Sequence, residues 1–126
     1  MSIKTPLGRV RGLGSAKGGT HHFWMQRVTA VAMIPLTIWF VASIVSLVGA
    51  DRAVVLAWLH MPVVAVLMAL LLGTGFYHLK LGLQVIIEDY VHCEAVKITA
   101  LLANSFGCIA LAAASVFAVL KIAVGS

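Results

Sequence analysis

The chain has 126 residues, of which 62% are hydrophobic and 10% charged, with a formal net charge of +5 and a mean hydropathy of +1.07. Soluble domains carry about 25% charged residues, so this composition excludes an ordinary water-soluble fold and points to a membrane protein. Lys4, Arg9, Arg11, Lys17 and Arg27 all precede or open the first apolar run, so the basicity reads as a topology signal rather than as nucleic-acid binding.

Residues 1–20 hold five glycines (8, 12, 14, 18 and 19) and scattered cations without apolar periodicity. They predict a flexible or surface-draped tail that lacks the apolar centre of a secretory signal. A mitochondrial transit peptide is the alternative, weakened by glycines that disfavour an amphipathic helix. Thr20 to Arg27 has an interfacial character: Trp24 suits the headgroup level, and Thr20 is expected to cap the helix start. From Val28 to Val48 no ionisable side chain occurs, enough for about 30 Å of hydrocarbon. Pro35 is expected to bend this span, and Gly49-Ala50-Asp51-Arg52 to end it.

Residues 53–61 are amphiphilic and predict a segment along the opposite interface, with Trp58 and His60 as its polar edge. Pro62 suits the first turn of a second helix, reaching about Ile87 and therefore tilted or longer than the hydrocarbon. Glu88 to Lys97 predicts a short polar connection. A third span follows from about Ile98 to Val124, interrupted by Asn104, Ser105 and Gly107, with Lys121 snorkelling near its end. The expected fold is an all-α membrane protein, one domain over residues 1–126, with transmembrane helices at about 28–48, 62–87 and 98–124. The cation-rich tail places the N-terminus in the cytoplasm and, after three spans, the C-terminus outside. Cys93 and Cys108 form no CxxC pattern, and neither is expected to bridge or to ligate a metal.

The second span carries the chemistry. At 100° per residue His78 and Asp89 fall within about 20° of one stripe, about 16 Å apart along the axis. An ionisable group as deep as His78 is costly and faces protein or cofactor. It is either a neutral histidine hydrogen-bonded to a neighbouring helix or an axial haem ligand, for which imidazole is a common choice. Gly75 and Gly82 flank it and either open a groove beside the ring or mark a plain helix contact. A bis-imidazole haem cannot be completed here: His60 is about 27 Å away if helical, and His21, His22 and His92 are interfacial. If haem is bound, the second ligand comes from another chain. Arg27 is either a snorkelling anchor or a partner for haem carboxylates, with His21 or His22 as a second contact. Lys80 lies 200° from His78 and faces away. Asp89 and Tyr90 are either interfacial belt and solvation, or a proton relay and phenol donor suited to quinone reduction.

His78-x-x-x-Gly82 followed by Asp89-Tyr90, preceded by His21-x-x-x-x-x-Arg27, resembles the hydrophobic membrane-anchor subunit of succinate dehydrogenase (respiratory complex II), of the small D type. The resemblance covers almost the whole chain. It implies a bacterial plasma-membrane subunit, a mitochondrial inner-membrane one being the lesser alternative. A flavoprotein subunit, an iron–sulfur subunit and a second, C-type anchor would be its partners. It further implies that His78 is the haem b axial ligand from this chain, the C-type anchor supplying the other. Arg27 and His21 would meet the propionates, with His22 as the alternative to His21. Tyr90 and Asp89 would serve the ubiquinone site. The chain would carry electrons toward ubiquinone but perform no succinate chemistry. It has neither a dinucleotide-binding glycine pattern nor an iron–sulfur cysteine set. Two rival readings are a cofactor-free structural or assembly subunit and a small proton-linked transporter using His78 and Asp89. The first span, without ionisable groups, counts against the transporter.

Overall fold

The computed structural model describes residues 17–125, and among these it contains four helices and no strand. They are α1 (Lys17–Ser46), α2 (Arg52–His60), α3 (Pro62–Tyr90) and α4 (Glu94–Val124). The long helices α1, α3 and α4 are long and apolar enough to cross a membrane. The three expected spans are therefore present, each longer than predicted.

The extensions correct several expectations. Helix α1 starts at Lys17, so Thr20 lies inside it and caps nothing. Of the expected flexible tail, Lys17 to Thr20 are helical, and residues 1–16 lie outside the described residues. The glycines at 18 and 19 cost about 1 kcal/mol each relative to alanine. Pro35 sits within α1 without ending it. In a bilayer, neighbouring groups and local adjustments accommodate the lost backbone donor.

Helix α3 opens with Pro62 at its first turn, where a missing N–H is not needed. It continues through Glu88 and Asp89 to Tyr90, and the Val91 N–H closes it on the Ile87 carbonyl at 3.0 Å. Gln84 Nε2 donates to Glu88 Oε1 across the last turn at 3.0 Å. The polar connection is thus reduced to residues 91–93. Polarity marked where α3 leaves the hydrocarbon, not where its hydrogen-bond ladder stops.

Helix α2 is capped by Asp51, whose Oδ1 accepts from Val54 N at 3.0 Å. Trp58 stacks on Trp39 of α1, with centroids 5.9 Å apart and planes at 21°.

Helix α3 is central. Its largest contact is with α4, and its other side packs on α1; α1 and α4 do not pack on each other. Among the described residues only Val64, Ala65, Leu81, Cys108, Val119 and Thr29 are buried. Large apolar side chains such as Ile34, Phe106 and Phe117 are 60–68% exposed. A fold so thin in core could not hold in water, but lipid removes the need to hide apolar surface. Close packing and interhelical hydrogen bonds carry the association instead. One such bond runs from Asn104 Nδ2 to the Lys80 carbonyl at 2.9 Å, and Cys108 Sγ donates to Asn104 Oδ1 at 3.4 Å.

Candidate functional site

The α1–α3 seam is where the candidate chemistry collects. On α1, His22, Gln26, Thr29 and Met33 recur at intervals of four, three and four residues, which places them on one stripe. On α3, Gly75, His78 and Gly82 answer them. A Cβ placed on Gly75 would lie 3.8 Å from Met33 Cε, and one on Gly82 would lie 3.8 Å from Gln26 Nε2. Between these contacts Thr29 Oγ1 is 3.0 Å from His78 Nδ1. Numbers rise along α1 as they fall along α3, so the helices are antiparallel.

His78 is half-buried and faces α1. The glycines on either side of it meet α1 side chains at ordinary contact distance. They therefore serve helix approach, and the seam at these positions is filled by α1 rather than left as a groove. Thr29, 7% exposed, is the buried polar residue of the described chain. Its Oγ1 is also 2.7 Å from the Met25 carbonyl oxygen and 3.1 Å from that of Gln26. Two further polar atoms on the stripe, His22 Nε2 and Gln26 Oε1, are buried without a partner among the described residues. Leaving such atoms unpaired costs about 1–3 kcal/mol each. The seam therefore has unused hydrogen-bonding capacity beside the imidazole.

The other predicted residues lie apart from this contact. Arg27 is exposed, its guanidinium Cζ 4.8 Å from the centroid of Phe23. It follows ten helical residues of α1, so it does not stand at the helix start as its place before the apolar run suggested. Two positions before Thr29, it is within about 3 Å of the His78 level along the axis. His21 is exposed, whereas the neighbouring His22 turns into the seam. Asp89 is exposed and Tyr90 is 76% exposed, at the end of α3. Lys80 takes the opposite side of α3 from His78. It lines a cleft with Cys108 and Ile109 of α4, and its Nζ lies 5.8 Å from the Tyr77 ring centroid.

Reasoning from the sequence missed Thr29 and Gln26, and ranked His21 ahead of His22. The i, i+4, i+7 spacing of His22, Gln26 and Thr29 was the available signal. It was masked because each is individually unremarkable beside a run of apolar residues.

The fit to a haem can be judged on these atoms. Among the described residues no three His, Cys, Asp or Glu side chains gather to hold a bare metal ion. One imidazole is present with one nitrogen engaged by Thr29 and the other without a hydrogen-bond partner among the described residues. That is half of a bis-imidazole donor set. The residues fit.

Fold and site together define a three-span, all-helical membrane protein with a polar seam between α1 and α3. The model of the succinate dehydrogenase/fumarate reductase transmembrane subunit family matches residues 1–120. The succinate dehydrogenase hydrophobic membrane anchor subunit of Paracoccus denitrificans is 33% identical over 126 residues, covering 100% of this chain and 97% of that one. That of Rickettsia bellii is 30% identical over 101 residues, 80% of this chain and 81% of its own. The succinate dehydrogenase membrane anchor subunit of Reclinomonas americana is 28% identical over 91 residues, covering 68% and 73%. No solved structure matches the chain. The chain belongs to this transmembrane subunit family, among the hydrophobic membrane-anchor subunits of succinate dehydrogenase. It is accordingly a membrane-embedded part of an enzyme complex with partner subunits.

Proposed function

We propose that this anchor subunit holds haem b jointly with a second, C-type anchor and forms part of a ubiquinone site. It would thereby connect the iron–sulfur subunit to the quinone pool without taking part in succinate oxidation, the chemistry of the flavoprotein subunit. The observation that carries the proposal is the state of His78: a half-buried imidazole on a central membrane helix, with Nδ1 engaged by Thr29. The proposal gives Nε2 to the iron, since an ionisable group at that depth needs a partner and the described residues offer Nε2 none.

A bound haem supplies one-electron redox chemistry. The chain's own residues would bind and orient. His78 would hold the iron from one side. Arg27, close to the same axial level and exposed, has the forked donors that match a propionate, and His21 or His22 would add a second donor. Tyr90 Oη would donate a hydrogen bond to a quinone carbonyl, and Asp89 beside it would hold and pass protons. The exposure of Asp89 and Tyr90 supports a site finished by another subunit. The tail cations support a cytoplasmic side for the N-terminus and for the Asp89–Tyr90 end of α3 in a bacterial plasma membrane.

The test is a reduced-minus-oxidised visible spectrum of the purified complex from wild type and from His78→Ala. The haem b signal should be lost or strongly altered in the variant. An unchanged signal would sink the axial-ligand assignment.

A further inference from the structure

The structure assigns Thr29 as the residue that fixes the tautomer and ring plane of His78, and through them the electron affinity of the haem. This rests on the proposed haem ligation by His78 and adds to it a positioning residue on a different helix.

Thr29 Oγ1 lies 2.7 Å from the Met25 carbonyl oxygen. Two oxygens that close repel unless a proton stands between them, and a carbonyl has none to give. The hydroxyl proton is therefore committed to Met25. The contact with the Gln26 carbonyl, at 3.1 Å, draws on that same proton.

The hydroxyl then meets His78 Nδ1, at 3.0 Å, only through a lone pair. Nδ1 must carry the hydrogen and donate it. A neutral imidazole has one N–H, so Nε2 keeps the free lone pair that a metal requires. The opposite arrangement would set an unprotonated Nδ1 against an oxygen whose proton is already used.

Burial makes the contact count. Thr29 is 7% exposed, which keeps water from competing for Nδ1. Thr29 is held on its own backbone by the Met25 bond, and as a β-branched side chain it has few rotamers on a helix. Met33 against Gly75 and Gln26 against Gly82 clamp the helices one turn to either side. The acceptor is thus rigid, and the ring plane follows from it. An acceptor on the N–H of a ligating imidazole makes the ring a stronger donor to the metal and favours the oxidised iron. Removing that acceptor should raise the haem midpoint potential.

The experiment compares purified whole complexes carrying wild type, Thr29→Val, Thr29→Ala, Thr29→Ser and His78→Ala. For each, haem content, the paramagnetic resonance spectrum of the oxidised haem and its midpoint potential are measured. Valine and alanine variants should show a raised potential, a displaced low-spin signal and haem loss about 10-fold faster. Serine, which keeps the hydroxyl, should restore wild-type values. Alanine carries the comparison if valine prevents assembly. Wild-type potential and resonance in the hydroxyl-free variants, with the signal still abolished by His78→Ala, would overturn the role of Thr29 alone. A serine variant that behaves like valine would overturn it too, by showing that shape and not the hydroxyl matters. A haem signal unchanged in His78→Ala would overturn the ligand assignment together with this inference.

Discussion

Asn104 of α4 donates from Nδ2 to the backbone carbonyl of Lys80 on α3 at 2.9 Å, two residues along α3 from His78. The bond fixes the height of α4 against the helix that carries the candidate ligand, from the side opposite to Thr29. The seam on α1 and this bond on α4 hold α3 between them.

Replacing Asn104 with leucine should therefore loosen the α3–α4 pair without touching the haem residues. Interhelical bonds of this kind average about 0.6 kcal/mol in membrane proteins, so the expected loss is below about 1 kcal/mol. Detergent-induced unfolding of the complex should show a small drop in midpoint with the haem spectrum unchanged. A drop several times larger would mean that Asn104 has partners beyond α3.

Gly82 tests the closeness of the α1–α3 seam. A Cβ there would make ordinary contact with Gln26 at 3.8 Å, so Gly82→Ala should assemble normally. A Gly82→Leu branch turned toward α1 would meet Gln26, and overpacking of this kind costs about 1–3 kcal/mol. Yield of assembled complex should fall for leucine and not for alanine. Equal yields would show that the helices can separate freely at this level.

Arg27 is proposed to meet a carboxylate of the haem. Arg27→Gln should accelerate haem loss from the isolated complex, and Arg27→Lys should be intermediate because it keeps the charge but not the fork. Succinate oxidation by an artificial acceptor should be untouched in both. Identical haem retention in wild type and the glutamine variant would reduce Arg27 to a membrane anchor.

Tyr90→Phe removes one hydroxyl from an exposed position, so stability should not change. Succinate–quinone reductase turnover should fall by about 100-fold or more, the usual scale for losing a positioned proton donor. Succinate oxidation by an artificial acceptor should persist. Equal losses in the two assays would contradict a role at the quinone.

The topology can be checked directly. A periplasm-dependent enzyme fused after Ser126 should be active, and a fluorescent protein that matures only in the cytoplasm should be dark there. The reverse pattern would invert every membrane-side assignment made for Asp89 and Tyr90.

Much of this protein follows from its sequence, for a physical reason. Hydrocarbon demands long apolar helices with satisfied backbones, so composition and run length alone determined three spans and their order. Pro62 at a helix start and His78 deep in α3 were legible in the same way. Residue identity and motif order were enough to reveal the family before any coordinate. Helix ends were not legible, because hydropathy reports where a chain meets water whereas the hydrogen-bond ladder runs on. Lys17 and Tyr90 belong to helices for that reason. Nor could the sequence choose between a histidine bonded to its neighbour and a histidine kept for a ligand. The tertiary structure brought Thr29 to Nδ1 and left Nε2 without a partner among the described residues, so the two roles are compatible on one ring. Only the rotation of α1 about its axis decided that His22, Gln26 and Thr29 face α3 while His21 and Arg27 face outward. That rotation is set by packing against Gly75 and Gly82 on α3, far along the chain from the α1 residues they meet.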